Sequence, residues 1–139
     1  MHSIRLLMKP ALTVLGLIVF LGCSVNRDAD LPPTISVSGV VTYQGKPVPD
    51  ASIMFYPTEG RKPATGKADA SGKFELSTFG KNDGVLAGEH KVTVNAYQTT
   101  SEGVSMKSAI PVKYTNPSST PLVVNVSESE NEIELKLVD

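Results

Sequence analysis

Few side chains in this 139-residue chain could carry chemistry. There are two histidines, His2 and His90, and one cysteine, Cys23. So few ligands do not make a conventional Cys/His zinc site, and a lone cysteine closes no disulfide within the chain. His90 is the one candidate for acid–base work outside the first few residues. It shares parity with Val92 and Val94, no nucleophile motif accompanies it, and the many serines include no Gly-x-Ser-x-Gly elbow. A packing residue at a strand mouth is expected there, and no catalysis. Asp69 with Ser71, and Asn82 with Asp83, offer oxygens of the kind calcium takes. Neither pair has the Asp-x-Asp-x-Asp-Gly spacing and distal Glu of a calcium loop, so both are read as turn residues. Glu128, Glu130, Glu132 and Glu134 fall at every second position; from Glu132 onward the parity is that of a solvated strand face, so they are read as a wet surface and not a metal cage. No metal and no cofactor is expected.

Composition excludes another class. Lys+Arg number 13 against 14 for Asp+Glu, so no positive field exists to drive binding of nucleic acid. Glycine at 11 and proline at 10 suit a turn-rich β domain.

The first 23 residues differ from the rest. His2, Arg5 and Lys9 give a basic start, Ala11 to Leu21 is an uncharged apolar run, and Gly22-Cys23 closes it. Basic, apolar, then small is the layout of a secretory signal peptide. The run falls short of the roughly 20 residues of a comfortable membrane span. It is apolar on all sides, unlike an amphipathic core helix.

Phe20-Leu21-Gly22-Cys23 resembles the lipobox of bacterial lipoproteins, with Phe20 where Leu is usual. The resemblance implies cleavage before Cys23, a thioether-linked diacylglycerol on its sulfur and acylation of its new amino group. Ordinary cleavage leaving a free thiol is the alternative. Ser24, in place of Asp, resembles lipoproteins passed on to an outer membrane. The expectation is an exported cell-envelope protein held on a membrane through Cys23. Removing residues 1–22 leaves 117 residues with 11 basic and 14 acidic side chains. No polybasic stretch stands beside the anchor, so the acyl chains are expected to hold the protein alone.

Residues 23–34 read as the anchor and a polar tether ending in the stiff pair Pro32-Pro33. From Ile35 to Asp139 the chain is a train of short strands. Ile35, Val37, Gly39, Val41 and Tyr43 share one parity, and Ala51, Ile53 and Phe55 another such run. Further strands are expected at 66–68, 73–79, 90–96, 122–126 and 133–137. Turn chemistry separates them at Gln44-Gly45-Lys46-Pro47 and Asp69-Ala70-Ser71-Gly72. About seven half-polar strands in 105 residues give an antiparallel β-sandwich, with a closed barrel as the other architecture.

Three segments carry a second resemblance. Val37-Ser38-Gly39-Val40-Val41-Thr42-Tyr43-Gln44-Gly45-Lys46-Pro47-Val48-Pro49-Asp50-Ala51 looks like the opening of a carboxypeptidase regulatory-like domain. Asp69-Ala70-Ser71-Gly72-Lys73-Phe74 is similar to its Asp-x-x-Gly-x-aromatic hairpin. Ala87-Gly88-Glu89-His90-Lys91-Val92-Thr93-Val94 resembles its Pro-Gly-x-Tyr-x-Val strand, with Ala87 for Pro and His90 for Tyr. The resemblance covers residues 35–97. It implies a transthyretin-like, Greek-key sandwich of seven strands without catalysis, a structural or protein-interaction module.

The aromatics leave one other option. Outside the leader they are Tyr43, Phe55, Tyr56, Phe74, Phe79, Tyr97 and Tyr114, with no Trp. Tyr56 and Tyr97 sit on outward parity and could stack on sugar rings, so a glycan-binding envelope module is the alternative function. The expected partners are thus the membrane and an envelope protein or polysaccharide. Residues 98–108 read as a long polar loop, a place where scaffolds carry function. Strand counting puts the turns at 44–50 and 70–72 and this loop at the end opposite Ile35.

Overall fold

The computed structural model describes residues 30–128 and 132–139. Glu130, the leader through residue 22, Cys23 and the tether up to residue 29 lie outside them. The compact unit spans Pro32–Asp139. Its strands in chain order are β1 (Thr34–Ile35), β2 (Ser38–Tyr43), β3 (Lys46–Pro47), β4 (Ser52–Pro57), β5 (Ala64–Lys67) and β6 (Lys73–Glu75). They continue as β7 (Val85–Leu86), β8 (Gly88–Asn95), β9 (Tyr97–Thr100), β10 (Gly103–Ser108), β11 (Val123–Val126) and β12 (Glu132–Leu137).

Two sheets face each other as a sandwich. One has the order β11-β8-β4-β5, all antiparallel. The other centres on β2, with β12 on one side and β3 and β6 in tandem on the other. The seven strands expected from periodicity are β2, β4, β5, β6, β8, β11 and β12. One pairing departs from the antiparallel expectation: β12 runs parallel to β2, with Glu132 opposite Ser38 and Leu137 opposite Tyr43. Direction explains it. β8 and β2 leave the end where the chain enters, β11 returns antiparallel to β8, and β12 must therefore run out again in the direction of β2.

The inward faces are those the alternation marks. Val37, Val41, Ile53, Phe55, Phe74, Leu76, Val92, Val94, Leu135 and Leu137 are all buried. Each side chain of this size contributes about 1.5–3 kcal/mol on burial. Gly39 sits among them because a Cβ there would run into the Ile133 backbone and the Phe74 ring. At the β2–β3 turn Gln44 and Gly45 both take positive φ, 50° and 79°, the geometry of a tight two-residue hairpin.

The side between β8 and β12 is closed by a segment that periodicity does not identify. A 3-10 turn at Val112–Thr115 inserts Tyr114, which is 2 % exposed. Its hydroxyl donates to Val138 O at 2.9 Å and accepts from Val138 N at 3.0 Å. Thr120 Oγ1 donates to Val92 O at 2.7 Å and fixes the return toward β11.

The two ends of the sandwich are distinct. At the proximal end the chain enters: β1 pairs with β7, and Thr34 Oγ1 donates to Asp83 O at 2.5 Å. At the distal end lie the 44–45 turn, the 69–72 turn and the last residues of β12, next to Tyr43. Residues 98–108 are not an irregular loop. β9 and β10 form a hairpin with Thr100 opposite Gly103, Thr99 opposite Val104 and a bulge before Ser108. Its base is at the distal end, where Ala109 N donates to Ala96 O. Threonine-rich β9 favours strand, and a two-residue tip suffices to turn it.

Candidate functional site

Tyr56 faces outward from β4 in the β11-β8-β4-β5 sheet, whereas Tyr97 begins β9 in the separate β9–β10 sheet, and the fold does not bring them together. Tyr56 stands opposite Lys91 on β8, and Tyr97 follows six residues further along the same chain direction. The four steps from Lys91 to Asn95 along β8 already cover about 13 Å at 3.3 Å per residue, too far for one sugar ring to lie between the two tyrosines. They also differ in access. Tyr56 is half-buried and its hydroxyl meets Met54 Sδ at 3.2 Å, whereas Tyr97 is 53 % exposed. Met106, on the paired strand of the hairpin, is 87 % exposed. The four residues of β9 are all exposed, so the hairpin stands out from the sandwich.

His90 lies inside, opposite Val124 on one side and Pro57 on the other, with its side chain fully buried. Nδ1 is 2.9 Å from Gly88 O. A carbonyl only accepts, so Nδ1 holds the proton and Nε2 carries a lone pair. That Nε2 has no hydrogen-bond partner among the described residues. Phe55 packs against the ring at 5.9 Å between centroids. Burial pushes the His90 pKa below 6.5, the hydrogen bond to the Gly88 carbonyl opposes this in part, and the Arg61 guanidinium adds to it. The side chain is neutral and touches no nucleophile.

The two aspartates act on their own turns. Asp69 Oδ1 accepts from Ser71 Oγ at 2.7 Å, Ser71 N at 2.8 Å and Lys73 N at 3.0 Å. These bonds, that of Ser71 Oγ first, hold its carboxyl below the usual value. Asp83 accepts from Thr78 N at 2.8 Å, Phe79 N at 2.9 Å and Gly80 N at 2.8 Å. Desolvation raises its pKa, but the backbone donors outweigh it and the net shift is downward. Among the described residues no three His, Cys, Asp or Glu side chains gather as metal ligands would. Glu132 and Glu134 lie on the wet face of β12, with Glu134 3.4 Å from Lys136.

An open groove of about 680 Å³ runs where β2 and β6 meet β5. Ser38, Thr65, Lys73, Glu75 and Glu132 line it with hydroxyls and both signs of charge. The basic pair Arg61-Lys62 is plain in the sequence, but its packing against the loops on either side of β7 is not. Lys62 Nζ sits 5.1 Å from the Phe79 ring centroid, and Arg61 Nη2 donates to Ala87 O at 2.7 Å. No sequence signal announces these contacts, because Lys62 and Phe79 are 17 positions apart.

No family model matches the sequence, and no curated protein matches it. Among solved structures the chain is similar to BcpA, the major pilin subunit of Bacillus cereus, at 15% identity and a TM-score of 0.48, over 77% of this chain and 30% of that one. It is also similar to a DUF3823 family protein from Parabacteroides merdae, at 18% identity and a TM-score of 0.42, over 78% of this chain and 46% of that one. The chain thus spans less than half the length of either. Among the described residues no helix is long and apolar enough to cross a membrane.

Proposed function

We propose that this chain is a lipid-anchored envelope protein, attached through Cys23, whose sandwich is a non-catalytic module for structural or protein contacts. The observation that carries the reading is the opposition of the two ends. The chain enters beside Val85 and Asp83, and the β9–β10 hairpin leaves from the other end with Tyr97 and Met106 exposed. An anchor on residue 23 then puts the hairpin at the end remote from the bilayer. Exposed strand edges and apolar side chains favour pairing with an extended protein segment. The same outward Tyr97 is what a glycan-binding reading would draw on, but its separation from Tyr56 favours protein contact.

Mass spectrometry of the mature N-terminus tests the anchor. A diacylglyceryl group on Cys23, with loss of residues 1–22, is expected. An unmodified Cys23, or a retained Met1, would reject the anchoring.

A further inference from the structure

Beyond the leader the chain carries two thioether sulfurs, Met54 and Met106. The fold treats them in opposite ways. Met54 lies on β4, opposite Thr93 of β8 on one side and Thr65 of β5 on the other. It is half-buried, and its Sδ accepts a hydrogen bond from the Tyr56 hydroxyl at 3.2 Å. Thr93 beside it is itself buried, so solvent does not reach that part of the sheet surface.

Met106 has no such cover. It is 87 % exposed, on β10 of the projecting hairpin. The hairpin register runs from Gly103 opposite Thr100 to Val104 opposite Thr99 and resumes at Ser108 opposite Tyr97, so Met106 falls in the bulge between. Its side chain contributes neither to the core nor to a cross-strand pair.

We propose that Met106 is a reactive site for two-electron oxidants such as hydrogen peroxide and hypochlorous acid, and that its sulfoxide forms with the fold intact. The sulfur lone pair attacks a peroxide oxygen. An S–O bond forms as the O–O bond breaks, and the proton left on the transferred oxygen goes to the departing hydroxide, giving water. Sulfur loses two electrons and the peroxide gains them. Met54 resists, because the Tyr56 hydroxyl engages its sulfur and its half-buried position hinders approach. Oxidation turns a flexible apolar side chain into a polar one. At Met106 this removes apolar surface from the hairpin without removing packing. Sulfoxides are reduced back enzymatically, so the change is a reversible switch on whatever the hairpin contacts. That last consequence rests on the contact role proposed for the hairpin.

Peroxide treatment with peptide mapping tests the site on the chain from residue 23 with Cys23→Ser, which leaves no thiol to compete. In the folded protein Met106 should oxidise within about twofold of its rate in urea, and Met54 at least about fivefold more slowly than in urea. Protein oxidised at Met106 alone should keep the urea midpoint of untreated protein. On a native hydrophobic-interaction column it should elute earlier, as should Met106→Gln, while Met106→Leu elutes unchanged before and after brief peroxide treatment. Equal folded rates for the two methionines, or a Met106 slowed as much as Met54, would overturn the proposal. So would a lowered midpoint on oxidation of Met106, which marks a packed side chain, or an unaltered elution. These readouts involve neither lipid nor partner, so they are decided separately from the anchoring and from the contact role of the hairpin.

Discussion

His90 should make the stability of this domain depend on pH in a window of its own. Its imidazole is fully buried and neutral, with a proton on Nδ1 and a bare Nε2. Protonation would place a cation against Phe55 and near Arg61, and no carboxylate among the described residues bonds to the ring. In the unfolded chain the same side chain titrates near pH 6.5. The folded value is lower, so the unfolded state binds the proton first as pH falls. Stability is therefore full above pH 6.5 or so and declines below it, by up to about 1.4 kcal/mol per pH unit, until the folded value is reached. Asp69 and Asp83, also lowered, act only below their ordinary value of 3.8, outside the range from pH 8 to pH 5 in which His90 is tested. The assay is urea unfolding followed by far-ultraviolet circular dichroism between pH 8 and pH 5, on the chain from residue 23 with Cys23→Ser. His90 is then the one histidine present. In His90→Phe the decline should vanish. Its absolute stability is a poorer guide: losing an unpartnered acceptor relieves about 1–3 kcal/mol, and the larger ring costs about 1–3 kcal/mol in overpacking. A wild type flat across this range, or a variant that keeps the slope, would refute the buried neutral imidazole.

Two further substitutions probe the ends of the sandwich. Asp83→Ala strands the N–H groups of Thr78, Phe79 and Gly80, at a cost of about 1–2 kcal/mol after allowing for partial solvent access. The lowered Asp83 pKa also means that this contribution is present above pH 3.8 and is lost as pH falls below it. Denaturation midpoints at pH 7 and pH 3 check both. Tyr114→Phe keeps the ring in the gap between β8 and β12 but removes both bonds to Val138, for about 1–2 kcal/mol in urea unfolding. An unchanged midpoint would mean that the ring alone closes that side.

Much of the fold is legible because strand burial has a period of two. Val37, Val41, Ile53, Phe55, Val92 and Val94 face in, as their parity requires, and every one of the seven expected strands is found. Turn chemistry is legible for a similar reason. Gly45 and Gly72 take positive φ, and Asp69 caps its own turn, all within a few residues. The β9–β10 hairpin was hidden because polar Gln98, Thr99 and Thr100 show no buried face: a projecting hairpin has no core to alternate against. Tyr114 was hidden because its partner, Val138, is 24 residues away.

The candidate sites divide the same way. The spacing of an apolar run, a small residue and Cys23 is local, so the sequence by itself determines the expectation of an anchor. That Tyr56 and Tyr97 each point away from the core is also local, since parity carries it. That they lie apart is tertiary: β4 register sets Tyr56 opposite Lys91, and Tyr97 lies past the end of β8 in the β9–β10 sheet. The sequence shows no basic stretch beside Cys23. Tertiary structure mixes charges at the proximal end: Lys62 lies over the Phe79 ring of the loop before β7, and the registers set Glu75 and Glu132 opposite Ser38 there. Charge composition is additive along a chain. A charged surface is not, because it depends on which loops the sheet registers bring to one end.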